Sequence, residues 1–587
     1  MTTRRWTCVF VTCAAVLMAA ATGFARQAPP AITGDWQATV GRQHLTLAIE
    51  QGPGSTLKAT FGNVEAKATT PIDSIAVDDA RTVTFTIAAA SASFTGTLNA
   101  DGTEISGMMR QAGAEVPLVL RRPGTAARAL TLKPATKGRV HLEPCRTTNE
   151  AMEALCGTYE VFENREARAG RTIALNVMVI PATTSTPQPD PFFALAGGPG
   201  ESAVSTFPLT GYVRTIRQQR DVVLIDQRGT GKSNPLPCPL IAVDNAQEVI
   251  GAQYSLDRIR ECRTESDRKA DTTQYTTSIA ADDVDEVRDA LGYGVINVFG
   301  ASYGSRAALV YLRRHGDHVR TLTIEQIAPP AQFFIPLAFA TGVDSSVDGV
   351  IALCEADAAC HKGYPDVRAH FAAVVERLDK APAQFEIRRQ HVTLTREMFL
   401  VKLRTVLYVP QFVSAFPLFI ESAYAENWIP YADAALQISS ALDEAIARGA
   451  SLSAICAEDV PMFTSSLIHS TTEGTRLGDS QAKRYQEYCK AWGPAGVVPK
   501  DFYTLVHSNV PALLLSGDLD PGTPPQFARQ AAEPLTNSRL VSVKQGTHGT
   551  GSPCIDGLIA AFVAHGSVAG LDASCTDQIH IPSFLVR

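Results

Sequence analysis

Hydrophobic and polar positions change rhythm twice along this chain. From Gly34-Asp35-Trp36 to Arg122 apolar residues alternate with polar ones, as in His44-Leu45-Thr46-Leu47-Ala48-Ile49, Thr82-Val83-Thr84-Phe85-Thr86-Ile87 and Ser93-Phe94-Thr95-Gly96-Thr97-Leu98. A period of two predicts strands with one buried face. Such segments recur about every ten residues, with a turn at Asn99-Ala100-Asp101-Gly102, so residues 32–122 are expected to form a small antiparallel β-domain, a barrel or sandwich. Residues 123–138 open with Pro123-Gly124 and read as a linker. Beyond them the alternation gives way to candidate strands at 173–180, 192–196, 222–225, 296–299, 319–324, 512–516 and 540–543, several of them continuous apolar runs. Runs of that kind predict parallel strands buried on both faces. Between Pro329-Pro330 and Lys500, Ala- and Leu-rich stretches such as 367–378 and 431–447 predict helices. Residues 139–587 are therefore expected to form an α/β unit with a helical cap at 331–500, inserted ahead of the last strands.

Composition narrows the class. Arg4 and Arg5, an apolar stretch over 6–21 and small residues ending at Gly23-Phe24-Ala25 give residues 1–25 the layout of a secretory signal peptide. That stretch is shorter than the ~20 residues a spanning helix needs. The mature chain is expected to be secreted or periplasmic, with no stable membrane insertion. The net charge of −7 and the absence of a long Lys/Arg run give no footprint for nucleic acid. Without Cys8 and Cys13, ten of the twelve cysteines remain, an even number suited to an oxidising compartment. Nearest-neighbour pairing would join Cys145 to Cys156, Cys238 to Cys262, Cys354 to Cys360, Cys456 to Cys489 and Cys554 to Cys575. No CxxC doublet occurs, so no metal is expected. Asp226-Gln227-Arg228-Gly229-Thr230-Gly231-Lys232-Ser233 lacks the Walker spacing and reads as a rigid turn, so no nucleotide or other cofactor is expected.

The chemistry gathers around Gly300-Ala301-Ser302-Tyr303-Gly304, which follows the apolar run Val295-Ile296-Asn297-Val298-Phe299 and precedes a helical pattern. Such a strand-to-helix elbow exposes a serine hydroxyl above the sheet edge. Serine needs a base and a group to orient that base. Asp520, in Gly517-Asp518-Leu519-Asp520, and His548, in Gly546-Thr547-His548-Gly549, follow the last two strands in the order Ser, Asp, His. Asp518 is the alternative acid. Ala196-Gly197-Gly198-Pro199-Gly200 is placed to supply one oxyanion donor, the N–H of Gly198, and the N–H of Tyr303 a second.

Taken together, Leu195 to Gly200, Asp226 to Gly231, Gly300 to Gly304 and Gly517-Asp518-Leu519-Asp520-Pro521 resemble the motifs of the tripeptidyl and prolyl aminopeptidase group of α/β-hydrolases. The likeness runs from about Cys145 to Cys575. Ala196 and Ala301 stand where that group often has His and Gly. The resemblance implies peptide substrates and removal of residues from their N-termini through an acyl-enzyme. It also implies cap acids that pair with the substrate ammonium: Cys456-Ala457-Glu458-Asp459-Val460-Pro461 resembles such a segment, which makes Glu458 and Asp459 the candidates, with Glu325 behind them. A carboxylic-ester hydrolase on the same triad, or a non-catalytic binding protein with this fold, remains an alternative.

Overall fold

The computed structural model describes residues 32–586 apart from 41–42, 53–55, 65–67, 89–91, 112–113, 126–128, 149, 252, 332 and 550. The leader read at 1–25 lies outside the described residues.

The alternating N-terminal region forms one antiparallel sheet of nine described strands, from Gly34–Val40 to Ala114–Arg121. Its apolar set, including Leu47, Phe85, Phe94 and Leu118, is buried on one face. Trp36 sits in that core, with its indole N–H donating to the Ile32 carbonyl at 2.9 Å. The turn before Glu104 is fixed by Asn99, whose Oδ1 accepts the N–H groups of Thr103 at 2.9 Å and Glu104 at 3.0 Å. The two edge strands, Ala68–Pro71 and Ser74–Val77, are separated in the chain by only Ile72 and Asp73. The sheet therefore curls until its edges approach each other.

The second sheet has ten described strands. In spatial order they are Ala135–Lys137, Val140–Arg146, Glu153–Phe162, Thr172–Ile180, Val222–Ile225, Phe192–Leu195, Ile296–Ala301, Val319–Glu325, Ala512–Gly517 and Ser538–Val543. Neighbours are antiparallel as far as Val222–Ile225 and parallel from there on. Each apolar run splits its side chains between two cores. Phe193, Leu195, Val223, Ile225 and Val298 pack against the helices Thr277–Ala290 and Tyr303–His315. Phe192, Ala194, Val222, Leu224 and Phe299 pack against Gly211–Ile216 and Pro553–His565 on the other face. Three strands were not foreseen. Ala135–Lys137 lies inside the stretch read as linker, and Val140–Arg146 and Glu153–Phe162 interleave charged residues with apolar ones. At this antiparallel end of the sheet many side chains are half-buried or exposed, so no continuous apolar run is required.

Helices from Ile335–Ala356 to Ser480–Trp492 form the cap, together with the hairpin Ala383–Ile387 and Gln390–Leu394. Ile335–Ala356 is long and apolar enough to cross a membrane, but Val343, Val347 and Val350 are fully buried in the cap's own core. The helix Ala246–Gly251, which precedes Ser302 in the chain, contributes Val249 and Ile250 to the same core.

All five nearest-neighbour cysteine pairs are joined, with Cα–Cα separations from 5.1 to 5.8 Å. Cys456–Cys489 ties the cap helix Arg448–Glu458 to Ser480–Trp492. Replacing both cysteines by serine is expected to cost about 3 kcal/mol, read as a lower midpoint of urea unfolding.

Candidate active site

Adjacent parallel strands decide which loops meet. Phe192–Leu195 and Ile296–Ala301 pair in register, Leu195 opposite Gly300, so the loops that leave them converge at the C-terminal sheet edge. Close packing at the elbow explains its glycines: a Cβ on Gly304 would stand 2.1 Å from the Leu195 carbonyl oxygen, and one on Gly300 2.1 Å from that of Gly304. Ser302 itself has φ 56° and ψ −127°, a strained conformation for a residue with a side chain. Its N–H donates to the Glu325 carbonyl at 3.1 Å, and its carbonyl accepts the Ser305 hydroxyl at 2.6 Å. These bonds hold the strained turn at the start of the helix.

The structure brings Ser302, His548 and Asp520 into one hydrogen-bonded chain. The Ser302 hydroxyl donates to His548 Nε2 at 3.1 Å, and His548 Nδ1–H faces both Asp520 oxygens at 2.8 and 3.0 Å. This arrangement fixes the tautomer, leaving Nε2 free to accept the serine proton. Asp520 is buried and over-determined, accepting the N–H of Gly522 at 2.7 Å, the N–H of Thr523 at 2.9 Å and the Thr523 hydroxyl at 2.6 Å. Asp518, the alternative acid, is exposed and takes the Ser542 hydroxyl instead. Tyr408, from the cap, stacks on the His548 ring at 4.2 Å between centroids. Nothing in the local sequence marks Tyr408 for this contact.

A cavity of about 460 Å³ lies between the sheet edge and the cap, with Ser302, His548, Gly198 and Glu201 in its wall. Gly198 has φ 103°, which a residue with a side chain would not readily adopt, and this orients the loop beside the nucleophile. Tyr303, as the first residue of its helix, has an N–H without an intrahelical acceptor. Asp226 braces the loop from below: it accepts the Ser202 hydroxyl at 2.6 Å, the Asn176 amide at 2.8 Å and the Lys232 N–H at 3.0 Å. Arg228 is clamped on Asp283 at 2.6 and 2.8 Å. The Asp226-to-Ser233 segment is thus a bracket with its polar groups already engaged.

Glu201 follows the glycine-rich motif directly and was not singled out in the sequence. One of its carboxylate oxygens and the Ser302 Cβ lie 3.4 and 3.3 Å from the point a Cβ on Gly197 would occupy. Burial raises its pKa, and the nearby His548 imidazole opposes that shift. Among the described residues it forms no ion pair.

Glu458 and Asp459 require a correction, because the structure places them beneath the nucleophile helix instead of on the cleft wall. Both are fully buried. Glu458 accepts the Thr277 N–H at 2.6 Å and the Thr277 hydroxyl at 2.8 Å, and lies 3.4 Å from Arg306 Nη1. Asp459 pairs with Arg306 Nη2 at 3.0 Å. Burial pushes the Glu458 carboxyl up to about 7, with Arg306 opposing. Arg306 is the shared counter-ion of both acids, and neither of them lines the cavity. Glu325 is among the residues lining the cavity.

A Ser–His–Asp chain above the C-terminal edge of this sheet, under a helical cap, defines an α/β-hydrolase with a serine-hydrolase site. Within that class, residues 475–575 match the family described as TAP-like protein, and the resemblance to the tripeptidyl and prolyl aminopeptidase group is borne out. The chain is 26% identical over 255 residues to the serine protease Hip1 of Mycobacterium tuberculosis, covering 39% of this chain and 48% of that one. It is 23% identical over 427 residues to a tripeptidyl aminopeptidase of Streptomyces coelicolor, covering 65% and 75%. Over 144 residues it is 29% identical to a proline iminopeptidase of Neisseria gonorrhoeae, covering 24% and 34%. The match therefore spans about half the length of the mycobacterial relatives.

Proposed function

We propose that this protein is an exported serine exopeptidase that cleaves peptide bonds near the N-terminus of peptides through an acyl-enzyme. The observation that carries the reading is the opening of Ser302 into a roofed cavity of about 460 Å³ with the unpaired carboxylate of Glu201 beside it. A cavity of that size holds a few residues, not a long chain lying across the site. The relatives named tripeptidyl aminopeptidase and proline iminopeptidase support the same class of substrate. Five cysteine pairs fit an oxidising compartment, in keeping with the leader read at 1–25.

In this mechanism Ser302 Oγ attacks the carbonyl carbon while His548 Nε2 takes its proton, and Asp520 stabilises the imidazolium. The N–H groups of Gly198 and Tyr303 receive the oxyanion, where one donor is worth about 2.7 to 4 kcal/mol in the transition state. His548 returns the proton to the leaving amine. Water, activated by His548, then attacks the acyl carbon and releases the N-terminal fragment as a free acid. Ammonium recognition is assigned to Glu201, which lies beside Ser302 in the cavity wall and outside any ion pair among the described residues.

Aminoacyl and tripeptidyl amides, their N-acetylated counterparts and simple esters test this together. Glu201→Gln is expected to raise KM for free-amine substrates about tenfold to a hundredfold, the range for a hydrogen bond to a charged group. N-acetylation is expected to weaken turnover of the parent protein by at least as much. Turnover of esters alone, or equal rates for free and acetylated amides, contradicts the exopeptidase reading.

A further inference from the structure

The cap wall of the same cavity carries a second charge pattern that recognition of an N-terminus does not use. The helix Arg396–Val406 places Lys402 and Arg404 in the cavity lining. Lys402 is 92% buried, being 8% exposed, and burial lowers its pKa to about 8. The carboxylate that acts on it most strongly is Asp443, which Arg448 already holds. Glu248, also in the wall, is held by Arg258. Arg404 lies 3.7 Å over the Phe339 ring and donates Nη1–H to the Tyr408 hydroxyl, while its Nε has no hydrogen-bond partner. Neither Lys402 nor Arg404 forms an ion pair among the described residues.

Burying a cation without a counter-charge is costly, and two such cations side by side repel each other. Surface lysines avoid that cost by reaching water, whereas Lys402 is enclosed and faces the cavity where substrate must lie. An anion in the cavity would offset both penalties, and Arg404 retains donors suited to a carboxylate. Tyr408 links this wall to the reacting groups, since its hydroxyl meets Arg404 and its ring lies on His548.

We propose that Lys402 and Arg404 form a subsite for a substrate carboxylate, supplied by an acidic side chain or by the free C-terminus of a short peptide. The proposal rests on the reading of this cavity as the peptide site. It makes the cleft bipolar, with Glu201 beside the nucleophile and the two cations on the cap.

Protection of Ser302 from a fluorophosphonate measures binding without requiring peptide hydrolysis. The probes are tripeptide amides with Glu or Gln at each of the three positions, and trialanine as the free acid or the amide. In the parent protein, at least one acidic member is expected to protect at about tenfold lower concentration than its neutral partner. A Glu-over-Gln gain assigns the subsite to a side chain, and a gain of free acid over amide assigns it to the C-terminus. Lys402→Met and Arg404→Met are expected to reduce the gain to less than about threefold, and Lys402→Arg to retain most of it. Equal protection within every pair in the parent protein overturns the proposal, whatever the variants do. A gain that persists in both methionine variants overturns it as well. Failure of the exopeptidase reading would show separately, as absent amide hydrolysis with Ser302 labelling intact.

Discussion

Ser302→Ala is expected to lower kcat by about a million-fold, because the remaining groups have no nucleophile to activate. The size of that loss follows from the geometry. His548 Nε2 has the Ser302 hydroxyl at 3.1 Å, and Asp520 holds the ring's other nitrogen at 2.8 and 3.0 Å. Groups that act as one unit give losses that do not add, so His548→Ala combined with Ser302→Ala is expected to be no worse than Ser302→Ala alone. Asp520→Asn is expected to cost about ten-thousand-fold, since an amide facing Nδ1 favours the wrong tautomer. Steady-state kinetics on the best amide substrate reads all three. A loss below about a hundredfold for Ser302→Ala would mean that another residue carries the chemistry.

Arg306→Met is expected to destabilise the fold by about 3 to 5 kcal/mol at neutral pH, the range for breaking a buried ion pair from one side. Arg306 is 1% exposed and lies four residues beyond the nucleophile on the same helix. It joins Glu458, Asp459 and the Phe333 carbonyl, the last at 2.8 Å, so one guanidinium fastens the end of a cap helix to the helix that positions Ser302. Its removal leaves two carboxyls enclosed without a cation. Urea unfolding at pH 7 checks the loss, and a change of less than about 1 kcal/mol contradicts this account of the network.

The same network has a sign in pH. Burial raises the Glu458 carboxyl to about 7 from an ordinary 4.5, so the folded state holds its proton more tightly than the unfolded chain does. Its contribution to stability is therefore fully present below the unfolded value and is lost as pH rises through the folded value. Asp459 is shifted upward as well, by burial against the opposing Arg306, and adds to the effect in the same direction. The urea midpoint is expected to fall between pH 5 and 7.5, and Glu458→Gln to flatten that slope.

What the sequence disclosed depended on how local the signal was. Several of the foreseen strands are continuous apolar runs, such as Phe192–Leu195 and Val222–Ile225. All seven foreseen in the α/β unit are present with ends shifted by at most a few residues, although Thr172–Ile180 is antiparallel to both its neighbours. The elbow and the two loops bearing Asp520 and His548 are legible because glycine and strand end are adjacent in sequence there. Strands at the antiparallel end of the sheet, such as Glu153–Phe162, escape because most of their residues are half-buried or exposed and no apolar run marks them. Glu458 was not legible for a different reason: its partner, Arg306, lies 152 residues upstream, and nothing beside Glu458 reveals that the acid is buried against it. Tyr408, Lys402 and Arg404 reach the site only because the cap folds over it, a placement that no local pattern encodes. Glu201 directly follows the glycine motif, and its charge at that position was the signal available.

The most direct measurement is peptide mapping of the folded protein after exposure to a fluorophosphonate. One adduct is expected, on the peptide containing Ser302, absent from Ser302→Ala and formed far more slowly in His548→Ala. A folded protein that takes no adduct, or takes it on another residue, contradicts the claim that Ser302, His548 and Asp520 form the working nucleophile.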